Sequence, residues 1–285
     1  MVLFSLLKML KEAQRCGYAV GYFESWNLES TRAVVKAAEE ERSPIIIGFN
    51  GSLLAARARD LEGYATIGKV MAEKASVPTA LLLNEAQDFQ QIVQGIKCGF
   101  SSVMIDGSSL PPDENIKLTR KIVEVCHSVG VSVEGQMNEL PHAEDGEFHG
   151  DITGFLTVPE KAAYFVRETD LDALSISVGN IHILYKEKAK IDFRRLEKIR
   201  ELIGIPLVVH GATGISDDDI QRMLRLGVCK INIGTELRVR FKNGMKKAIE
   251  KSYVIDPEEI LGMAEQEMKH LVKSKIKIYG CAGRA

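Results

Sequence analysis

The feature that most constrains this chain is a cadence. Short runs rich in β-branched and aromatic residues recur eight times: 18–23 (YAVGYF), 43–49 (SPIIIGF), 77–83 (VPTALLL), 100–106 (FSSVMID), 130–136 (GVSVEGQ), 172–179 (DALSISVG), 205–211 (IPLVVHG) and 227–234 (GVCKINIG). Most lie about 25 to 40 residues apart, the length of a strand plus a crossover helix. Near-continuous apolar strands suit a parallel sheet covered on both faces. Eight such units in 285 residues match an α/β fold of the (β/α)8 TIM-barrel type in number and size. A doubly wound sheet would want fewer strands and a glycine fingerprint after the first, and GYFESW supplies none. No low-complexity linker divides the chain, so residues 1–285 read as a single domain, with extra charged C-terminal helices over 236–277. The segment 139–154, ELPHAEDGEFHGDITG, is polar and glycine-bearing and reads as a loop over the active end.

Charge narrows the partners. The net charge is -2 and the pI about 6.3, which gives no electrostatic case for nucleic acid or an anionic membrane. No apolar run approaches the ~20 residues of a membrane span. The start, MVLFSLLKML, leads into KEAQRCGY without a small-residue cleavage site, and reads as an amphipathic first helix rather than a signal peptide. Cys16, Cys98, Cys126, Cys229 and Cys281 are odd in number and not closely spaced. That argues against a disulfide framework and a cysteine zinc site, and for a reduced, cytoplasmic setting.

In a barrel of this kind the chemistry sits at the carboxyl ends of the strands. The polar residues there are Glu24, Asn50, Asn84 with Glu85, Asp106, Glu134 with Gln136, Asn180 with His182, His210, and Asn232 with Thr235. Each alone can be a cap or turn former. His182 and His210, ending consecutive strands with Glu85 across the barrel, form a different pattern: two imidazoles and a carboxylate around a divalent metal. The last two strands end in VVHGATGIS and KINIGTEL, at the usual phosphate address of the fold. Gly211 and Gly214 let the backbone approach an anion, and Thr213 and Thr235 add hydroxyls, although Thr213, Ser216 or Thr235 can equally be helix caps. Trp26 reads as either a pocket wall or packing, and His142 and His149 as either solvated or functional.

Taken together, GFSSVMIDGSSLPPDENIKLT, GVSVEGQ, AEDG, DALSISVGNIHILYK, PLVVHGATGI, KINIGTEL and YGCAGRA resemble the class II, metal-dependent ketose-bisphosphate aldolases, essentially end to end. The resemblance implies an aldehyde-lyase that makes or cleaves a C–C bond in a phosphorylated ketose, with a divalent metal, usually zinc, as electron sink. It implies His182 and His210 as metal ligands, Asp106 as an alternate metal acid and Glu144 as the proton-moving loop carboxylate. It also implies Gly211, Ala212 and Thr213, and Asn232, Ile233, Gly234 and Thr235, as the two loops holding a dihydroxyacetone phosphate-like moiety. A homodimer or homotetramer is the corresponding assembly. No lysine ends a strand, Lys230 sitting too early on its own, so a Schiff-base route is not indicated.

The chain departs from that family at its centre. The family's HLDHG is here LLNEA, so Asn84 replaces the catalytic aspartate and Glu85 the third metal histidine. Gln136 replaces a glutamate, Ile183 a glycine beside the phosphate, and YFESWN an AFNVNN. An amide cannot exchange a proton at neutral pH, so the usual acid/base work cannot fall to Asn84. Glu85 as a ligand tilts preference from zinc toward manganese, iron or magnesium; as a free carboxylate it can take over the proton role. Three readings follow: an aldolase with a non-standard substrate, a lapsed homologue that only binds a sugar phosphate, and a metal-assisted isomerase or epimerase.

Overall fold

The computed structural model describes residues 3–251 and 255–285. Eight parallel strands close into a barrel in chain order: β1 (Val20–Glu24), β2 (Ile45–Asn50), β3 (Thr79–Ala86), β4 (Ser102–Asp106), β5 (Ser132–Gln136), β6 (Ala173–Ile176), β7 (Leu207–Val209) and β8 (Val228–Ile233). Pairing of β1 with both β2 and β8 makes the closure. The (β/α)8 architecture expected from the cadence is therefore the one observed. Most strands start about two residues later than the apolar runs suggest, because each run opens on the turn or helix-ending residues that precede its strand.

The helices are α1 (Leu6–Cys16), α2 (Leu28–Glu40), α3 (Gly51–Ala56), α4 (Leu61–Lys74), α5 (Phe89–Cys98), α6 (Pro112–Ser128), α7 (Pro159–Thr169), α8 (Phe193–Leu202), α9 (Asp217–Arg225), α10 (Thr235–Ile249) and α11 (Pro257–Ile278). Many starts are set by a side-chain cap: Ser5, Asn27, Asp60, Asp88, Asp192, Ser216 and Asp256 each accept from the first turn. α1 buries Leu6, Met9, Leu10 and Ala13, one face at helical spacing. It crosses the amino-terminal mouth: Phe4 N–H donates to Thr79 at the start of β3, and Leu7 N–H to the Ser132 hydroxyl at the start of β5. α11 packs in the helix layer against β1, α9 and α2, with α10 against it, and its buried Glu265 takes Arg32 at 2.5 Å and Lys36 at 3.0 Å.

One strand is irregular. On β3, Leu83 pairs with Val103 and Ala86 with Ile105, so three steps on β3 face two on β4. This is a bulge, and Glu85 sits in it at φ +52°. The apolar run alone places the end of β3 at Leu83; the strand in fact carries Asn84 and Glu85 within it.

Candidate metal and substrate site

Three strands and the segments after them bring the candidate ligands to one place. Glu85 comes from the β3 bulge, His182 from the segment after β6, and His210 from the residue that follows β7. One donor atom from each lies within 4.8 Å of the others, and the set is partly to fully buried. Asn50 at the end of β2 donates to Glu85 Oε2 at 2.5 Å, and Asn84 to Glu85 Oε1 at 3.0 Å. Asn232 on β8 donates in turn to the Asn84 side-chain amide oxygen, Oδ1, at 3.4 Å. Burial alone would raise the Glu85 carboxyl, but the His210 contact, the neighbouring imidazoles and Asn50 outweigh it and hold it down at about 2.

Beneath this set is a buried polar layer. Glu134 on β5 lies 2.7 Å from His210 Nε2 and 2.8 Å from Lys230 Nζ on β8. Lys230 also donates to the Asn232 side-chain oxygen at 2.6 Å. Burial pushes the Lys230 ammonium down, while Glu134 opposes that shift. For His210, burial acts downward, but Glu134 and Glu85 prevail and the net direction is up. With Nε2 shared with Glu134, His210 Nδ1 is left buried without a hydrogen-bond partner, 3.6 Å from Glu85 Oε1. Burial pulls His182 down to about 4, so its imidazole is neutral at physiological pH and keeps a lone pair. A donor set of two imidazoles and a carboxylate, one imidazole oriented by a carboxylate behind it, fits a divalent cation.

A cavity of about 200 Å³ opens over the set, lined in part by Gly211, Thr213, Asn232, Ile233, Gly234 and Thr235. Gly211 has φ +66°, and a Cβ there would fall 2.7 Å from the Ile181 carbonyl oxygen, so only glycine fits. Ala212 is buried behind the surface in a 3-10 turn over 212–214. The Thr213 hydroxyl accepts from Glu236 N–H at 3.3 Å, joining the two loops rather than capping its own helix. Ser216 is the cap of α9. α10 begins at Thr235 with no side-chain cap from Gly234, and both residues line the cavity, so the helix N-terminus stands at its edge.

The other expected residues stand further off. Asp106 accepts from the Ser108 hydroxyl at 2.5 Å and from Gln136 at 3.4 Å, and is not part of the Glu85–His182–His210 set. Glu144 lies exposed on the loop after β5. That loop is tied to the site by paired backbones: Ala143 N–H donates to His182 O, and His182 N–H to Pro141 O, both at 2.8 Å. Its His142 stacks on His182, with ring centroids 4.8 Å apart, and lines the cavity. His142 was equivocal as a residue in a polar loop; Arg238 carried no signal beyond lying one helical turn after Thr235. Arg238 donates to Glu24 at 2.8 Å, and both line the cavity. Burial, opposed by Arg238, pushes the Glu24 carboxyl up to about 7. Ile183, also in the lining, is exposed at φ +61°.

The sequence model of the family described as class-II fructose-bisphosphate aldolase matches residues 4–284. The chain belongs to the class II fructose-bisphosphate aldolase family. The chain is 38% identical to a fructose-bisphosphate aldolase from Geobacillus stearothermophilus, over 100% of this chain and 99% of that protein. It superposes on the YdjI aldolase from Escherichia coli K12 with a TM-score of 0.86, at 30% identity over 100% of both chains. A fructose-bisphosphate aldolase from Campylobacter jejuni shares the fold, with a TM-score of 0.82 at 20% identity, over 100% of this chain and 97% of that one. Among the described residues, no helix is long and apolar enough to cross a membrane.

Proposed function

We propose that this class II aldolase holds a divalent cation between Glu85, His182 and His210, and makes or cleaves a C–C bond in a phosphorylated ketose of non-standard structure. The observation that carries this reading is the convergence of those three donors, with His210 Nδ1 left unpartnered among them. A divalent metal bound there supplies Lewis-acid polarisation of the ketone oxygen, offsetting the charge that C–C cleavage leaves on the donor half. Zinc follows from the family; the Glu85 carboxylate admits manganese, iron or magnesium. Gly211 to Thr213 and Asn232 to Thr235 hold the phosphate of a dihydroxyacetone phosphate-like moiety through backbone N–H groups and the α10 N-terminus.

The proton work is redistributed. Asn84 orients Glu85 and exchanges no proton. Glu85 is held ionised at about 2 beside the imidazoles. Of the carboxyl groups at this mouth, buried Glu24 changes charge near neutrality, at about 7, and serves the oxygen of the aldehyde half. Glu144, on its loop, serves the proton on carbon. We place the reaction in the cytoplasm, in keeping with five free cysteines, and in a homodimer or homotetramer.

Metal analysis of the purified protein, with a retro-aldol screen over sugar phosphates, tests the reading. Glu85→Ala and His210→Ala should each lose bound metal; full retention would overturn the site. The amide at Asn84, hydrogen-bonded on both sides, favours a second reading in which a sugar phosphate binds without reaction. A rise in Tm with sugar phosphate, and no hydrogen exchange at the carbon beside the carbonyl, would select it. Exchange without cleavage would select an isomerase or epimerase.

A further inference from the structure

A second cavity, about 320 Å³, opens beside the first between the loops after β1 and β2 and the outer face of α10. The two share Glu24, Asn50, Leu53 and Arg238 as a common wall. A substrate anchored by its phosphate over Gly211 can therefore extend across this wall into the side cavity. The walls of the side cavity are aromatic: Trp26 meets Phe241 edge-on at 5.4 Å, and Phe49 meets Tyr64 edge-on at 5.2 Å. Three cations border it, Arg57, Arg59 and Lys242, and none forms an ion pair among the described residues. Its single carboxylate, Glu24, is already taken by Arg238. Its uncharged polar side chains are Ser25, Asn50, Tyr64 and Trp26, and the first two are already engaged. Asn50 gives its amide nitrogen to Glu85 and its oxygen to Ser52 and Leu53, and the Ser25 hydroxyl donates to the Phe23 carbonyl.

Hydroxyls on a ligand would find donors at the cationic rim, whereas the aromatic walls between offer them few partners. A flat apolar body matches those walls, and unpaired guanidinium groups at the rim match an anion. We propose that the side cavity seats the carbonyl acceptor, and that this acceptor has an apolar, ring-sized body ending in a carboxylate, sulfonate or phosphate held by Arg57 and Arg59. This rests on the aldolase reading above and specifies the aldehyde half of its substrate.

Trp26 lines the cavity and is the chain's single tryptophan, so its fluorescence reports occupancy without turnover. Three probes divide the claim: 4-carboxybenzaldehyde, benzaldehyde, and glycolaldehyde phosphate, each titrated against the metal-loaded protein. 4-Carboxybenzaldehyde should bind about tenfold more tightly than either of the others. In Arg57→Ala/Arg59→Ala that advantage over benzaldehyde should disappear, while benzaldehyde itself binds as before. Equal binding of the two benzaldehydes overturns the anion site. Tighter binding of glycolaldehyde phosphate overturns the apolar body. Hydrogen exchange on dihydroxyacetone phosphate is scored separately on the unaltered protein. If exchange is absent and the order of probes holds, the lyase reading falls and the ring-and-anion site stands; if exchange is present and the order fails, the reverse is true.

Discussion

Ile183 is a β-branched residue in left-handed backbone, with its side chain exposed over the cavity. Strain of this kind costs about 1–3 kcal/mol, more than the ~0.5–1 kcal/mol entropy penalty of glycine. Ile183→Gly should therefore raise Tm by a few degrees, and a fall would show that the side chain's packing outweighs its strain. Glu24 gives a pH-dependent prediction. Its folded pKa, about 7, lies above the ordinary 4.5, so its folded form favours the proton. Its contribution is complete below pH 4.5 and is lost as pH rises through 7. Relative to the wild type, Glu24→Gln should gain stability steadily across that window, as read by urea unfolding at several pH values. A flat difference would mean that the carboxyl is not perturbed by burial. Asn84 and Glu85 stand out in the sequence because two polar residues end an apolar run. The partner that fixes Glu85, Asn50, does not, because a lone asparagine at a strand end is as often a helix cap, and this one is also the cap of α3.

The elements that matter most to the site are β5, β7 and β8, joined by Glu134, His210 and Lys230 in the barrel interior. Lys230→Met would leave Glu134 buried without its cation, a loss of about 3–5 kcal/mol in chemical unfolding. Adding Glu134→Gln should recover much of it, because the uncompensated charge is then gone. The double variant should still bind metal about 10–100-fold more weakly, since His210 loses the carboxylate that orients it. Full affinity in the double variant would reduce Glu134 to a counter-ion. The strands themselves were legible as apolar runs, since a parallel barrel buries both faces of each one. The bulge in β3 was not. Asparagine and glutamate have low strand preference, and the extra residue between Leu83 and Ala86 shows only in the pairing with β4.

At the scale of the whole molecule, α10 carries the N-terminus proposed to hold the phosphate, and it packs on α11. A Cβ on Gly244 of α10 would fall 2.6 Å from the Ala264 Cα of α11, a backbone contact that cannot rotate away. Gly244→Val should cost about 1–3 kcal/mol in unfolding free energy by forcing the two helices apart. The same change should weaken phosphate binding through displacement of α10; unaltered phosphate affinity would show that the N-terminal turn is held independently by Thr213. Repetition made the barrel legible, but the pairing of the loop at 141–144 with His182 is a long-range backbone match that no local pattern announces. It has a practical corollary. Because a rung of that loop is also the main chain of His182, a proposed metal donor, a proteolytic nick at exposed Asp145 should be felt as demetallation, well before any helix or strand came loose.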